Sequence, residues 1–242
     1  MITLKTITTL ELSSLCNLSC KYCVNRMMRW HGRVPQIMSD EVFMASLDWL
    51  RRLCDLGTQR EVNLNGNGES LLDPQIVERT AAVIKVMGSR QVSFCTNGML
   101  VTEDLLRRFQ DVGLRRMDVS AHRAYHARRT IDLLNKVGMG GILATGAITA
   151  PHNWAGQIEE EHRVTVRLNI QCDPLIEGRG YVQAEGDVVP CCYDYRSLGK
   201  FGHVSDGDLL KKQIRPFSLC FSCHQVIPQG IVNAHNAQEG VV

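Results

Sequence analysis

The sequence predicts an α/β fold of six parallel strands, either open or curled into part of a TIM-type barrel, followed by a small cysteine-rich unit. Strand-like and helix-like periods alternate over residues 1–170, and 242 residues suffice for one large core. After Ile170, glycine and cysteine become frequent and helical periodicity is confined to the segment DLLKKQI. We therefore expect two domains, residues 1–170 and residues 171–242, the second stabilised by a bound metal centre.

The predicted strands are short and alternate apolar with polar residues, and a helix follows most of them. The strands are expected at residues 8–14, 61–66, 91–96, 116–120, 141–149 and 164–170. The helices are expected after Ser39 up to Gly57, from Asp73–Pro74 to Gly88, from Thr102 to Gly113 and from about Ala121 to Gly138. Asp-Pro is a cap followed by a proline suited to the first helical turn. In the second domain, the segment around Glu185-Gly186 predicts a β-hairpin.

Composition limits the class of protein. No stretch approaches the ~20 apolar residues of a membrane span, and Met1 begins directly on strand-like sequence rather than on a signal peptide. Ten cysteines without a secretory segment favour metal binding or redox chemistry in a reducing compartment. The net charge of +2 gives no strong attraction to nucleic acid. We expect a cytoplasmic protein with neither a membrane nor a nucleic-acid partner.

The first cysteine cluster, CNLSCKYC, places Cys16, Cys20 and Cys23 at a C-x3-C-x2-C spacing. Structural zinc would need a fourth ligand, and His31 lies nearby but without a paired ligand motif. Three thiolates on a [4Fe–4S] cluster would leave one iron open to an external molecule, whereas ferredoxins supply four cysteines. The spacing, with Tyr22 before the last cysteine, resembles the signature of the radical S-adenosylmethionine (radical SAM) enzymes.

Two further segments are similar to the same family. NLNGNGESLLDP resembles its glycine-rich turn ending in Glu, although Asn67 replaces the first glycine and Ser70 the proline. CTNG, at the end of the third strand, resembles another family segment. The resemblance implies a partial (β/α)6 TIM-type barrel, with Glu69 receiving the amino group of SAM, and an ordinary strand–helix turn is the alternative. The implied SAM-binding residues are Tyr22, Gly66, Asn67, Gly68, Glu69, Asn97, Ser120 and Arg128.

The second cysteine cluster begins with Cys172, Gly186 and Cys191 at a C-x13-G-x4-C spacing. This resembles the hairpin that opens the auxiliary-cluster domains called SPASM or, when shortened, twitch. With Cys220 and Cys223, the resemblance implies four ligands for a second [4Fe–4S] cluster. Cys192 is the alternative to Cys191, and zinc on the same four cysteines is the alternative to iron.

Two cysteines fall outside both clusters, and we expect Cys54 and Cys95 in the core. For Cys95, in a central strand, the alternative is a thiol near the site that donates a hydrogen atom.

The resemblance implies an enzyme that cleaves SAM with an electron from a flavodoxin- or ferredoxin-type reductant. The resulting 5′-deoxyadenosyl radical would abstract a hydrogen atom from a small molecule or peptide. An auxiliary cluster then implies a two-electron oxidation. The alternatives are a peptide maturase or epimerase, a nucleotide-modifying enzyme, supported only by the arginine-rich window 107–129, and a non-catalytic electron carrier. The arginines of this window are also expected on solvated helix faces. The separate loop 25–36 is expected either to contact substrate or to cover the cluster.

Overall fold

The fold is built on one eight-stranded sheet within the residues that the computed structural model describes, 2–144, 157 and 172–223. The strands are β1 (Ile2–Thr3), β2 (Thr6–Leu10), β3 (Val62–Asn63), β4 (Val92–Thr96), β5 (Met117–Ser120), β6 (Leu143–Ala144), β7 (Arg179–Val182), β8 (Asp187–Val189), β9 (Gly202–His203) and β10 (Gln213–Ile214). The spatial order is β6-β5-β4-β3-β2-β7-β8-β9, and β1 pairs with β10 separately. From β6 to β7 all neighbours are parallel, and the described sheet is open.

Helices connect the parallel strands, as the alternating pattern predicts. They are α1 (Asp40–Asp55), α2 (Ile76–Met87), α3 (Glu103–Asp111) and α4 (Ala124–Val137), and a 3₁₀ helix covers Val24–His31. The hydroxyl of Ser39 accepts from the backbone N–H of Val42 (3.3 Å), and that of Thr102 from Leu105 (3.1 Å). These bonds satisfy N–H groups that have no partner within the helix, so both caps fix where their helices begin.

Several predicted boundaries are wrong. The first strand is Thr6–Leu10 rather than 8–14, the second is Val62–Asn63 rather than 61–66, and α4 begins at Ala124 rather than 121. Asp73 is not the cap of α2, because the helix begins at Ile76 and Gln75 occupies the cap position. The Asp73 carboxylate accepts from the N–H of Gln75 (2.9 Å), one residue before the helix, and pairs with Arg79 (3.0 Å). Most of the predicted strand 141–149, and all of 164–170, lie outside the described residues.

The segment DLLKKQI is not a regular helix. It forms a 3₁₀ turn over Leu209–Lys211, and Gln213–Ile214 becomes β10. Ile214 lies opposite Ile2, so pairing with the first residues of the chain overrides a weak helical pattern.

The hydrophobic core lies between the sheet and helices α1 to α4. Phe94 of β4 and Phe109 of α3 are fully buried, with ring centroids 5.3 Å apart. Trp49 of α1 donates its indole N–H to the carbonyl of Val204 (2.8 Å), which attaches the later part of the chain to the core. None of the described helices is both long and apolar enough to cross a membrane.

The cysteine-rich part of the chain extends the same sheet. β7 pairs in parallel with β2, and β8 and β9 continue antiparallel from it. The predicted hairpin is therefore formed by β7 and β8, while the predicted boundary between residues 170 and 171 lies outside the described residues. The carboxyl ends of β2, β3, β4 and β5 meet at one edge of the sheet, where ligands of parallel sheets bind.

Candidate metal centres

The first candidate site is a cavity of about 190 Å³ at the carboxyl edge of the sheet. The loop after β2 brings Cys16, Cys20 and Cys23 to it, and the ends of β4 and β5 together with the loops after β3, β4 and β5 supply most of the remaining lining. All of the predicted SAM-binding residues except Arg128 line this cavity together with the three thiols. Arg128 is exposed on α4, and the described lining does not include it. The structure thus brings together segments that are far apart in the sequence.

Glu69 is the buried carboxylate of this cavity, with 2% of the residue exposed. One oxygen accepts from the hydroxyl of Thr96 (2.8 Å) and the N–H of Leu71 (3.3 Å), and the other from the N–H of Asn97 (2.8 Å). Burial nevertheless raises the pKa of Glu69, against the effect of these bonds. A carboxylate in this state is stabilised when a cation enters the cavity.

The two glycines of the turn are required by a neighbouring segment of protein. A Cβ on Gly68 would clash with the backbone carbonyls of Ser13 and Leu15, and a Cβ on Gly66 with the side chains of Glu11 and Tyr181. Only glycine, which has no Cβ, fits at these two positions of the turn. The two glycines let the turn lie directly against the chain that leaves β2.

Neutral polar side chains form another part of the lining. The hydroxyl of Tyr22 lies 2.8 Å from Nδ1 of His122. Burial raises the pKa of Tyr22 to about 12 and lowers that of His122, so both groups are neutral at pH 7. Sγ of Cys95 lies 3.0 Å from Oγ of Ser120, and burial raises its pKa. Cys95 therefore lines the cavity as a thiol, and its predicted place in the core is wrong.

The second candidate site is a cavity lined by the four predicted cysteines, Cys172, Cys191, Cys220 and Cys223. Its other walls are apolar or aromatic, formed by Leu175, Tyr193, Phe217 and Leu219. Cys192 is exposed and is not among the described lining residues, so the geometry favours Cys191.

Gly186 has a backbone φ of +96°, and a Cβ there would clash with the ring of His203. The hairpin turn before Cys191 therefore requires glycine, which gives a physical reason for the C-x13-G-x4-C spacing.

Three thiols at the first site and four at the second suit iron–sulfur clusters, in which each iron takes its own thiolate. Among residues 2–144, 157 and 172–223, no three Cys, His, Asp or Glu side chains are arranged to hold one metal ion. Zinc on the four cysteines remains the alternative at the second site. Nδ1 of His31, the histidine nearest to the first cysteine cluster in sequence, is hydrogen-bonded to the hydroxyl of Tyr195. Cys54 is half-buried, with Sγ 3.5 Å from Sδ of Met87.

Sequence reasoning missed a buried ionic cluster beside the first cavity, formed by Glu11, Arg33 and Glu185. The Arg33 guanidinium pairs with Glu11 and with Glu185 (2.8 Å), and Glu11 is fully buried. Glu11 is flanked by two leucines in the first predicted strand, and a single sequence gives no signal for partners 22 and 174 residues away.

Known proteins resemble the chain in sequence and in fold. Residues 10–142 match the model of the Radical SAM superfamily. The GTP 3′,8-cyclase of Klebsiella pneumoniae subsp. pneumoniae is 33% identical over 146 residues, 57% of this chain and 41% of that protein. The GTP 3′,8-cyclase of Synechococcus sp. is 32% identical over 113 residues, 46% of this chain and 30% of that protein. The chain therefore spans less than half the length of these curated relatives.

Among solved structures, the crystal structure of BtrN in complex with AdoMet and 2-DOIA superposes with a TM-score of 0.66 at 19% identity, covering 84% of this chain and 79% of BtrN. An open conformation of BtrN gives a TM-score of 0.61 at 18% identity, covering 94% of this chain and 97% of BtrN. At these identities the likeness concerns the fold.

Proposed function

The chain belongs to the radical SAM superfamily, and on that premise we propose that it is an oxidoreductase that uses two [4Fe–4S] clusters and SAM to oxidise a small molecule. The observation that carries this proposal is the first cavity, where three thiols and one buried carboxylate from separate loops face the same space. Cys16, Cys20 and Cys23 would hold the cluster that binds SAM. When bound, the clusters would supply one-electron redox chemistry, reduction of SAM at the first site and oxidation of the substrate at the second.

The residues of the chain then bind and orient. Glu69 would accept hydrogen bonds from the ammonium group of SAM, a cation that offsets the cost of burying this carboxylate. Thr96 and Asn97 hold the carboxylate in place through its two oxygens. Tyr22 and His122, both neutral, close one side of the cavity without adding charge. Such fixed positions keep the reacting carbon close to the radical and keep water out.

Cys172, Cys191, Cys220 and Cys223 would hold the second cluster. Four thiolates leave no iron free for SAM, so this site suits electron transfer. Its apolar walls, including Leu175 and Phe217, keep water from the cluster. A flavodoxin- or ferredoxin-type protein is the reductant that we propose for the first cluster.

Modification of a nucleotide is the second candidate function. The relatives named GTP 3′,8-cyclase favour it, although they match only part of their length. In this case the second site would contribute to substrate binding or electron transfer beside a nucleotide. The sequence likeness to these cyclases makes it a stronger alternative than peptide maturation, for which no described residue argues.

The test is anaerobic reconstitution followed by measurement of iron and of 5′-deoxyadenosine after addition of dithionite and SAM. We expect about eight irons per chain and SAM cleavage that is lost in Cys20→Ala. Cys54→Ala changes a half-buried cysteine outside both cavities and is the matched control. It should keep both the iron content and the SAM cleavage of the unmodified protein. Cys191→Ala should lower iron to about four per chain, while Cys192→Ala should not. Four irons in the unmodified protein, or bound zinc, would contradict the second cluster.

A second experiment separates the two functions. Ribonucleoside triphosphates deuterated on the sugar are incubated with the reconstituted protein, and deuterium is measured in 5′-deoxyadenosine. Transfer of deuterium from one of them supports nucleotide modification. Oxidation of a small molecule instead predicts no transfer from any nucleotide and a product two hydrogens lighter than its substrate.

A further inference from the structure

The ionic cluster of Glu11, Arg33 and Glu185 contacts segments that lead to both candidate metal centres. Nε and Nη2 of Arg33 donate to the two oxygens of Glu185 (2.8 and 2.9 Å), and Nη2 also donates to Glu11. Arg33 is 7% exposed and Glu11 is fully buried. Glu185 lies in the turn of the β7–β8 hairpin, so one guanidinium ties the end of β2 to that hairpin.

Glu11 extends this contact to the backbone of the turn at the first site and to the backbone of the hairpin. One carboxylate oxygen accepts from the N–H of Asn67 (2.7 Å), in the turn that carries Glu69. The other oxygen accepts from the N–H of Ala184 (3.1 Å), in the hairpin that leads to Cys191. A shift of the Glu11 carboxylate would therefore move the SAM-binding turn and the hairpin together.

The two cysteine segments also touch directly. The 3₁₀ helix Val24–His31 begins immediately after Cys23 and ends two residues before Arg33. Its Val24 and Met28 are buried against Tyr195, which follows Cys191 by four residues. The segment after Cys23 and the segment after Cys191 thus pack against each other. The ion pairs of Arg33 with Glu11 and Glu185 add a second contact between the two parts of the chain.

We propose that Arg33 is a positioning residue that couples the two metal centres, so that filling the four-cysteine site strengthens SAM binding at the three-cysteine site. This inference rests on the proposed function for the identity of the ligands. The second cluster would fix the hairpin, and the hairpin would hold Glu185 and Ala184 against Arg33 and Glu11. The carboxylate of Glu11 would then hold Asn67, and with it the turn of Glu69. By linkage, SAM must stabilise the second cluster by the same factor.

The test compares SAM dissociation constants with and without the second cluster, in the presence and absence of Arg33. SAM binding is read from the change it causes in the electron paramagnetic resonance spectrum of the reduced first cluster. We expect Cys223→Ala, which removes a ligand of the second cluster, to weaken SAM binding about 5- to 150-fold, the usual range of coupling between sites. In the Arg33→Met background the same change should weaken it less than about twofold.

Arg79→Met is the matched control, because Arg79 is also a buried arginine held between two carboxylates, Asp73 (3.0 Å) and Asp40 (2.6 Å). In the described structure the hydrogen bonds of Arg79 do not reach the hairpin. In the Arg79→Met background, loss of the second cluster should therefore weaken SAM binding as much as it does in the unmodified protein. Glu185→Gln is the milder variant, because Glu185 is partly exposed and its loss leaves the Arg33–Glu11 pair intact. It should reduce the factor in a folded protein.

A readout without metal uses hydrogen exchange of the cluster-free chain. Arg33→Met should speed exchange at the amides of Asn67 and Ala184 together, and Arg79→Met should change neither. The coupling would be refuted, and the proposed function left standing, by either of two results. One is that Cys223→Ala weakens SAM binding by the same factor with Arg33 and with Arg33→Met, and the other is that Cys223→Ala does not weaken SAM binding at all. Absence of the second cluster, or of SAM binding, would overturn the proposed function as well.

Discussion

Gly68→Ala adds one methyl group where the glycine-rich turn crosses the chain that leaves β2. The new Cβ would meet the backbone carbonyls of Ser13 and Leu15, which cannot move aside as a flexible side chain can. The N–H of Glu69 donates to the same Leu15 carbonyl (2.7 Å), so any relief of the clash weakens this bond. The turn, and the carboxylate it positions, must therefore shift.

The magnitude follows from three contributions. Alanine stabilises by about 0.4–1 kcal/mol through the unfolded chain, because the backbone of Gly68 lies outside the left-handed region. Overpacking costs about 1–3 kcal/mol, and the weakened hydrogen bond about 1 kcal/mol more. We expect Gly68→Ala to lower the free energy of unfolding by about 1–3.5 kcal/mol. Gly207→Ala, where nothing lies within 4 Å of the new Cβ, should raise it by about 0.4–1 kcal/mol.

The assay is urea denaturation of the two metal-free variants under anaerobic, reducing conditions, followed by circular dichroism. Both variants carry the same change in the unfolded chain, so their difference isolates the close contact. Of the two reconstituted variants, only Gly68→Ala should bind SAM more weakly, because a shift of the turn also moves the Glu69 carboxylate. Equal stability of the two variants would refute the contact between the turn and the segment after β2.

Three further changes test other parts of the structure. Trp49→Phe leaves the buried carbonyl of Val204 without its donor and should lower the free energy of unfolding by about 1–3 kcal/mol; no loss would contradict this attachment. Thr102→Ala should cost about 1 kcal/mol through loss of the α3 cap, measured by urea denaturation, with Thr102→Ser as the control that keeps the hydroxyl. Burial lowers the pKa of His122, so its neutral form is favoured by folding. The stability that His122 contributes above its unfolded pKa of about 6.5 should be lost as the pH falls through the folded pKa. His122→Asn should therefore flatten the pH dependence of stability between about pH 7 and 5, and an unchanged slope would contradict it.

The residues that meet in the first cavity could be predicted from the sequence, because their positions at the ends of parallel strands depend on local patterns. The strand ends carry the polar residues, and parallel strands bring those ends to one edge. The resemblance to the radical SAM family implied that Cys16, Glu69 and Asn97 share one site, and the positions of the strand ends agree with it. Their assignment to clusters and SAM stays a prediction, as does the contact expected of Arg128.

The remainder depends on contacts between distant parts of the chain. The pairing of β7 with β2 joins segments about 170 residues apart, and no local pattern encodes such a partner. Glu11 is similarly ambiguous, since a Glu between Leu10 and Leu12 fits an exposed strand face as well as a buried ion pair. Only the folded chain shows Arg33 beside it. Gly186 was predicted from its spacing, while its positive φ came from the structure.

The parallel pairing of β2 with β7 also has a consequence for synthesis. One side of β2 stays without its partner until the chain has grown by about 170 residues, which takes roughly 10 to 35 s at ribosomal rates. During that time, β2 exposes unpaired N–H and C=O groups that another strand can bind. The cysteines of the first site emerge early and those of the second late, so a nascent chain can complete only the first donor set. Because the partner of β2 is made late, we expect misassembly of the newly made chain to begin at β2.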